Sequence, residues 1–173
     1  MVDTHIAATA AGLQADAAQM LRVCRNMCQR HRHDFAEAIP CSQLTIKVCD
    51  LAQKMAKAGQ RPWRCSLLLA AYDEHRGLQL FKTEPSGNLG AYRAVAVGSN
   101  AGPINEALAE ALQAKQMETL DDALRVAIRL ALLHGGGGVI EIAVVRYDAS
   151  AKRSSLQILT DKEVDEVCAR LKP

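Results

Sequence analysis

The stretch HIAATAAGLQADA, residues 5–17, decides how the chain is to be read. Ile6 to Ala11 is a run of small and β-compatible residues, Gly12 stops it, and from Leu13 onward the apolar period changes from two to between three and four. Ala17, Met20, Leu21, Cys24, Cys28 and His31 fall on one stripe, while Arg22, Arg25 and Arg32 lie off it. A strand, a glycine turn and an amphipathic helix of about five turns are therefore expected in immediate succession. The segment Ala38-Ile39-Pro40 breaks that helix. Ser42 is expected to cap a second one that faces Leu44, Val48, Leu51 and Met55 inward and ends before Gly59.

Three extended runs follow. Cys65 to Tyr72 is almost wholly apolar, as a strand covered on both faces would be. Leu78 to Thr83 alternates, and a third strand is expected over Tyr92 to Val97. The turns between them, Asp73 to Gly77 and Glu84 to Asn88, are short, so these strands must pair antiparallel. Beyond Gly102-Pro103 come a helix bearing Ile104, Leu108, Ala111 and Leu112, and another after Thr119, whose cap partner is Asp122. Glycines 135–138 form a connector, strands are expected over 139–147 and 156–159, and Thr160 to Glu163 opens a last helix. The predicted order is β, α, α, β, β, β, α, α, β, β, α, an α+β protein in a single domain, 1–173, without internal repeat.

Composition agrees. Apolar residues make up 49% of the 173 and charged residues 23%, which is globular rather than disordered. A chain of this length buries roughly 70% of its unfolded surface and needs no disulfide or metal to fold. The formal charge of +2 gives no ground for a nucleic-acid or membrane partner. No apolar run approaches a membrane span, and the N-terminus lacks a signal core, so a soluble intracellular protein is expected. Six cysteines without a C-x-x-C pair fit buried thiols in a reducing compartment.

Chemistry-bearing groups are sparse. Cys24, Cys28 and His31, with His33 nearby, have metal-like spacing, but zinc usually draws its ligands from two elements, and the stripe is better explained as the buried side of a helix. The 135–138 glycines end a helix and open a strand, the reverse of a phosphate loop. Ser86 sits in a Pro-Ser-Gly turn rather than a nucleophile elbow, and nothing places His5, His31, His33, His75 or His134 beside a hydroxyl or thiol. Arg22, Arg25, Arg30, His31, Arg32 and His33 concentrate positive charge that could meet RNA or an acidic neighbour, though such a run is more often the solvated side of a helix. No catalytic group, metal or cofactor is expected.

Taken together, these segments resemble proteasome α-type subunits. Residues 5–17 resemble that family's H-I-x-x-x-x-A-G-L-x-x-D-A signature, Arg61-Pro62-Trp63 its R-P-F motif, Thr83 to Asn88 its D-P-S-G turn, Ile140 to Ala143 its I-E-I-A strand, and Ile158-Leu159-Thr160 with Glu163 its closing junction. Ile39 to Leu44, Cys49-Asp50, and Gly87-Asn88 with Gly98-Ser99-Asn100 are most similar to the family's α type-4 branch, the third position of the ring. Arg64 departs from the pattern, standing where the family has glycine.

The resemblance implies an N-terminal-nucleophile hydrolase fold, two antiparallel sheets between helical layers (αββα), here lacking its N-terminal portion. It implies a non-catalytic subunit of the outer ring of the 20S core, in cytoplasm and nucleus, contributing to ring assembly, substrate gating and activator docking in ubiquitin-dependent degradation. The catalytic threonine of the active relatives would lie upstream of Met1; Thr4 and Thr9 are internal. Partners would be neighbouring α subunits, the β ring and activators. Gly12 and Leu13 match the pair that lines the family's pocket for activator tails, whose lysine would precede Met1. The alternative is a repurposed adaptor that binds another large complex through its basic first helix.

Overall fold

A computed structural model describes residues 1–134, 139–148 and 153–171. The element order is the predicted one: β1 (Ile6–Gly12), α1 (Gln14–Phe35), α2 (Cys41–Lys57), β2 (Cys65–Asp73), β3 (Gly77–Thr83), β4 (Leu89–Ala91), α3 (Ala101–Gln113), α4 (Leu120–His134), β5 (Ala143–Asp148), β6 (Arg153–Ile158) and α5 (Asp161–Leu171). The contacts group into two compact units. One is Met1–Arg93 with Val145–Leu156, the other Ala94–Val144 with Gln157–Pro173.

In the first unit β1, β2, β3 and β4 form an antiparallel sheet in that order. The register sets Ile6 opposite Ala71, Ala8 opposite Leu69 and Ala10 opposite Leu67, and continues from Leu69 to Phe81 and from Leu67 to Thr83. Because side chains alternate along a strand, these residues share one face. That face packs with the apolar stripe of α1 (Met20, Cys24, Cys28) and with Cys41, Leu44 and Val48 of α2 into one buried cluster that also takes in Ile39 and Trp63. The cysteine Sγ of Cys65 lies 3.5 Å from Met20 Sδ inside it. Burial pushes the Cys24 thiol up to about 12 and the Cys28 thiol up to about 11, so both are protonated core groups at neutral pH.

Along β2, Cys65, Leu67, Leu69 and Ala71 are buried, whereas Ser66, Leu68, Ala70 and Tyr72 are half-buried. The apolar run is thus more completely covered on its helical face than on the other. On that second face Tyr72 stacks against Tyr147, with ring centroids 3.9 Å apart and planes 8° from parallel. Strands β5 and β6 form a two-stranded sheet of their own.

Three local expectations are corrected. Helix α2 begins at Cys41 after Pro40, and Ser42 makes no capping bond; proline already sets the backbone angle for the start of a helix. The third strand lies at Leu89–Ala91 and not over Tyr92 to Val97. The turn before it is closed by Glu84 N–H to Asn88 O and Gly87 N–H to Glu84 O, both 2.9 Å, so pairing with β3 starts at once at Leu89. Farther on, the Asn105 side chain accepts from Ala96 N–H at 2.7 Å and donates to its carbonyl at 3.4 Å, taking the place of a strand neighbour. Strand β5 starts at Ala143, four residues later than expected. The glycine connector lies outside the described residues.

In the second unit the predicted Thr119 cap is present, and Thr160, at the predicted start of the last helix, makes a second one. Thr119 Oγ1 accepts from Asp122 N–H at 3.2 Å while the Asp122 carboxylate accepts from the Thr119 hydroxyl at 2.6 Å. Glu163 likewise accepts from Thr160 N–H at 2.7 Å and from its hydroxyl at 2.9 Å. Both carboxylates are held below their ordinary range by these bonds.

Candidate functional site

The junction between β1 and α1 is where sequence and structure concentrate. Gly12 has φ +133°, and a Cβ placed on it would sit 2.3 Å from Arg64 O and 2.7 Å from Cys65 Cα. Only glycine fits both that backbone conformation and that approach. The chain then leaves β1 through Leu13, whose N–H donates to Arg64 O at 2.9 Å and whose carbonyl accepts from Ala17 N–H at 3.0 Å. Leu13 is left 49% exposed on a backbone fixed at both ends.

The residue that locks this turn is Asp16. It occupies the buried stripe of α1, one turn before Met20, and its side chain is only 5% exposed. A carboxylate there needs strong partners. Arg61 supplies a two-pronged contact, 2.7 and 2.8 Å, and Arg64 N–H donates a third bond at 2.8 Å. The Arg61 guanidinium, followed by the Arg64 amide, holds the Asp16 carboxyl down at about 2 against the opposing effect of burial. Helix α1 is thereby tied to the segment Arg61-Pro62-Trp63-Arg64 that leads into β2, with Trp63 buried beneath it. Arg64, the departure from the family pattern, contributes here through its main chain, which both donates to Asp16 and accepts from Leu13.

Asp16 and Arg61 were not singled out as a pair by sequence reasoning. The signal was available: an acidic residue on an otherwise apolar helical stripe calls for a cation from elsewhere in the chain.

The other singled-out residues disperse. Cys24, Cys28 and His31 do share one side of α1, and that side is the core. Among the described residues no three His, Cys, Asp or Glu side chains could hold a metal ion. His31 belongs to that interior rather than to the basic side: it is 5% exposed and lies 4.6 Å from the Phe35 ring, centroid to centroid. Arg22, Arg25, Arg30, Arg32 and His33 are exposed. His5 Nε2 bonds the Ile39 carbonyl at 2.8 Å. Ser86 accepts from Asn88 N–H within its turn, and Gly87 O accepts from Gln53 of α2 at 3.3 Å, so this turn serves to dock the sheet on the helix. Thr9 is paired with Leu68 in mid-strand. No described helix is long and apolar enough to cross a membrane.

Helices packed on an antiparallel sheet, opened by a strand, a glycine turn and a carboxylate-locked helix, define an α+β protein with the proteasome signature at its first junction. The sequence matches the proteasome subunit family over residues 1–145, and the chain belongs to that family. It is 32% identical over 166 residues to a probable proteasome subunit alpha type-3 of Schizosaccharomyces pombe, covering 91% of this chain and 65% of that protein. To proteasome subunit alpha type-4-A of Arabidopsis thaliana it is 37% identical over 133 residues, 76% of this chain and 50% of the relative. To alpha type-7-B of the same plant it is 32% identical over 173 residues, 98% of this chain and 67% of the relative. The chain thus spans about half to two thirds of the length of these relatives.

Proposed function

We propose that this chain is a non-catalytic structural subunit of the outer α ring of the 20S proteasome core, working in the cytoplasm and nucleus in ubiquitin-dependent protein degradation. The observation that carries the reading is the family match across residues 1–145 together with relatives that all bear α-type names. In this reading residues 1–173 form one α-type domain of the αββα N-terminal-nucleophile hydrolase kind. The sheet of β1 to β4, with α1 and α2 on one face, supplies one sheet and one helical layer of it. The third ring position is favoured by Ile39 to Leu44, Cys49-Asp50 and Gly98 to Asn100.

Its partners would be neighbouring α subunits, the β ring and activators. Gly12 and Leu13 would line the pocket that receives activator tails. In support, Leu13 presents an exposed side chain from a backbone that Asp16 and Arg64 hold in place, as a pocket wall requires. Affinity purification of the tagged chain, with its partners identified by mass spectrometry, tests the reading. Stoichiometric α- and β-ring subunits are expected. A different large complex, with proteasome subunits at background, would favour the adaptor alternative. Within an assembled particle, Leu13→Ala is expected to weaken binding of peptides copied from activator C-terminal tails; unchanged binding would remove Gly12 and Leu13 from the pocket.

A further inference from the structure

The chain has three tyrosines, Tyr72, Tyr92 and Tyr147, and one tryptophan, Trp63. Trp63 is buried in the core on the helical side of the first sheet. Tyr92 is 44% exposed and lies over Gly90, with no aromatic ring against it among the described residues. Tyr72 and Tyr147 differ from both. They belong to the same compact unit, Tyr72 near the end of β2 and Tyr147 in β5, and their rings lie within 8° of parallel with centroids 3.9 Å apart. Aromatic pairs more commonly stand about 4.5–7 Å apart, offset or edge to face, which keeps their negative faces from overlapping. At the shorter distance the two rings are largely superposed. The hydroxyl ends also meet: burial, and then a bond to the Tyr147 side chain, push the Tyr72 phenol above its ordinary value. Superposed rings whose hydroxyls bond each other bring the carbons ortho to those hydroxyls together as well.

Competing groups are withdrawn from an oxidant. Cys24, Cys28, Cys41, Cys49 and Cys65 are buried, and burial pushes all five thiols up. Cysteine oxidation follows thiolate character and exposure, so these thiols react slowly. Tyr147 is 38% exposed and opens the stacked pair to solvent from one side.

We propose that Tyr72 and Tyr147 form a site of oxidative modification, at which hydrogen peroxide acting through a haem peroxidase joins the two stacked rings as an intrachain dityrosine. Two one-electron oxidations take an electron and a proton from each phenol and leave a tyrosyl radical on each ring. The radicals couple through one carbon ortho to each oxygen. That carbon–carbon bond forms, the C–H bond on each coupled carbon breaks, and its proton moves to the phenol oxygen, which restores both aromatic rings. The two electrons and two protons lost overall reduce one peroxide to two waters. The link ties β2 to β5 and, unlike a disulfide, is not opened by exchange with thiols. It needs no partner chain, so its outcome leaves the α-ring reading untouched.

Mass spectrometry of the full chain, treated in dilute solution with equimolar peroxide and a catalytic amount of peroxidase, tests it. The monomer is expected to become lighter by two hydrogens. After trypsin the peptide of residues 65–76 is expected to be joined to the peptide of residues 147–152. Tyr72→Phe and Tyr147→Phe should each abolish that product, and Tyr92→Phe should leave it unchanged, with circular dichroism melts to check that each variant is folded. The wild-type peptide map decides the matter even where a variant does not fold. Tyr92 is the most exposed of the three tyrosines, so a reaction governed by access alone would link Tyr92 between chains. Such interchain products exceeding the intrachain one would overturn the proposal. So would a wild-type chain that stays uncross-linked, or a joined pair of peptides that survives in Tyr72→Phe or Tyr147→Phe.

Discussion

The two units bury apolar surface to different depths. In the first, Ile6, Leu44, Leu67 and Leu69 are wholly inaccessible, enclosed between the sheet and α1–α2. In the second, the best-covered apolar side chains of the helices, Leu108, Ala111, Ile128, Leu130 and Val164, all retain 6–9% exposure, and Leu120, Leu132 and Leu133 stand 41–65% exposed. A sheet face closed by two long amphipathic helices completes a core within the chain. Helices α4 and α5 carry side-chain caps, and all of α3, α4 and α5 are less deeply packed, so their order rests more on local bonds and less on burial. Opening free energies should follow the same division.

Several substitutions can break or sharpen this contrast. The largest effect is expected from Leu67→Ala, which hollows the closed face of β2 and should cost about 2–5 kcal/mol in chemical denaturation. Next comes Gly12→Ala. It forces a Cβ against Arg64 O from a positive-φ backbone, and a loss of at least ~2 kcal/mol is expected by the same assay. A loss near zero would mean that the junction between β1 and α1 yields readily.

Asp16→Asn should cost less than Gly12→Ala at neutral pH but change the acid limb. The Asp16 carboxyl is held at about 2, below the ~3.9 of an unfolded chain, so its contribution is complete above that unfolded value. It is lost as pH falls toward 2. Unfolding midpoints measured between pH 5 and 2 should therefore fall less steeply in the variant than in the wild type. Equal slopes would show that Arg61 is not what stabilises the ionised form. Thr119→Ala, which removes a cap in the less deeply buried unit, should cost about 1 kcal/mol and speed amide exchange in α4 ahead of β2. The smallest effect is expected from Leu133→Ser on the exposed side of α4, within about 0.5 kcal/mol.

How much was legible in the sequence follows the same division of forces. The order of all eleven elements could be read, because each is announced by period, glycine or proline, and the Thr119 cap could be read because capping is local in sequence. The position of the short β4 could not. Tyr92 to Val97 looks strand-like by itself, and only the tight 84–88 turn and the distant Asn105 amide decide that pairing occurs earlier. Gly12 and Leu13 were legible as a motif. The ion pair beneath them, Asp16 with Arg61, joins residues 45 apart, and its geometry appears only once β1 and β2 are in register. The burial of His31 was legible from its place on the apolar stripe of α1, although the same residue also stands in a basic run.

Hydrogen exchange tests the account most directly, comparing the isolated chain with the same chain co-assembled with proteasome α and β subunits. In isolation the amides of β2 are expected to be the slowest and those of α3, α4 and α5 markedly faster. On assembly β2 should change little while the three helices gain protection. If α3 to α5 already exchange as slowly as β2 in the isolated chain and gain nothing on mixing, the division between a closed and a less deeply packed unit is wrong, and with it the reading of this chain as a piece of a ring.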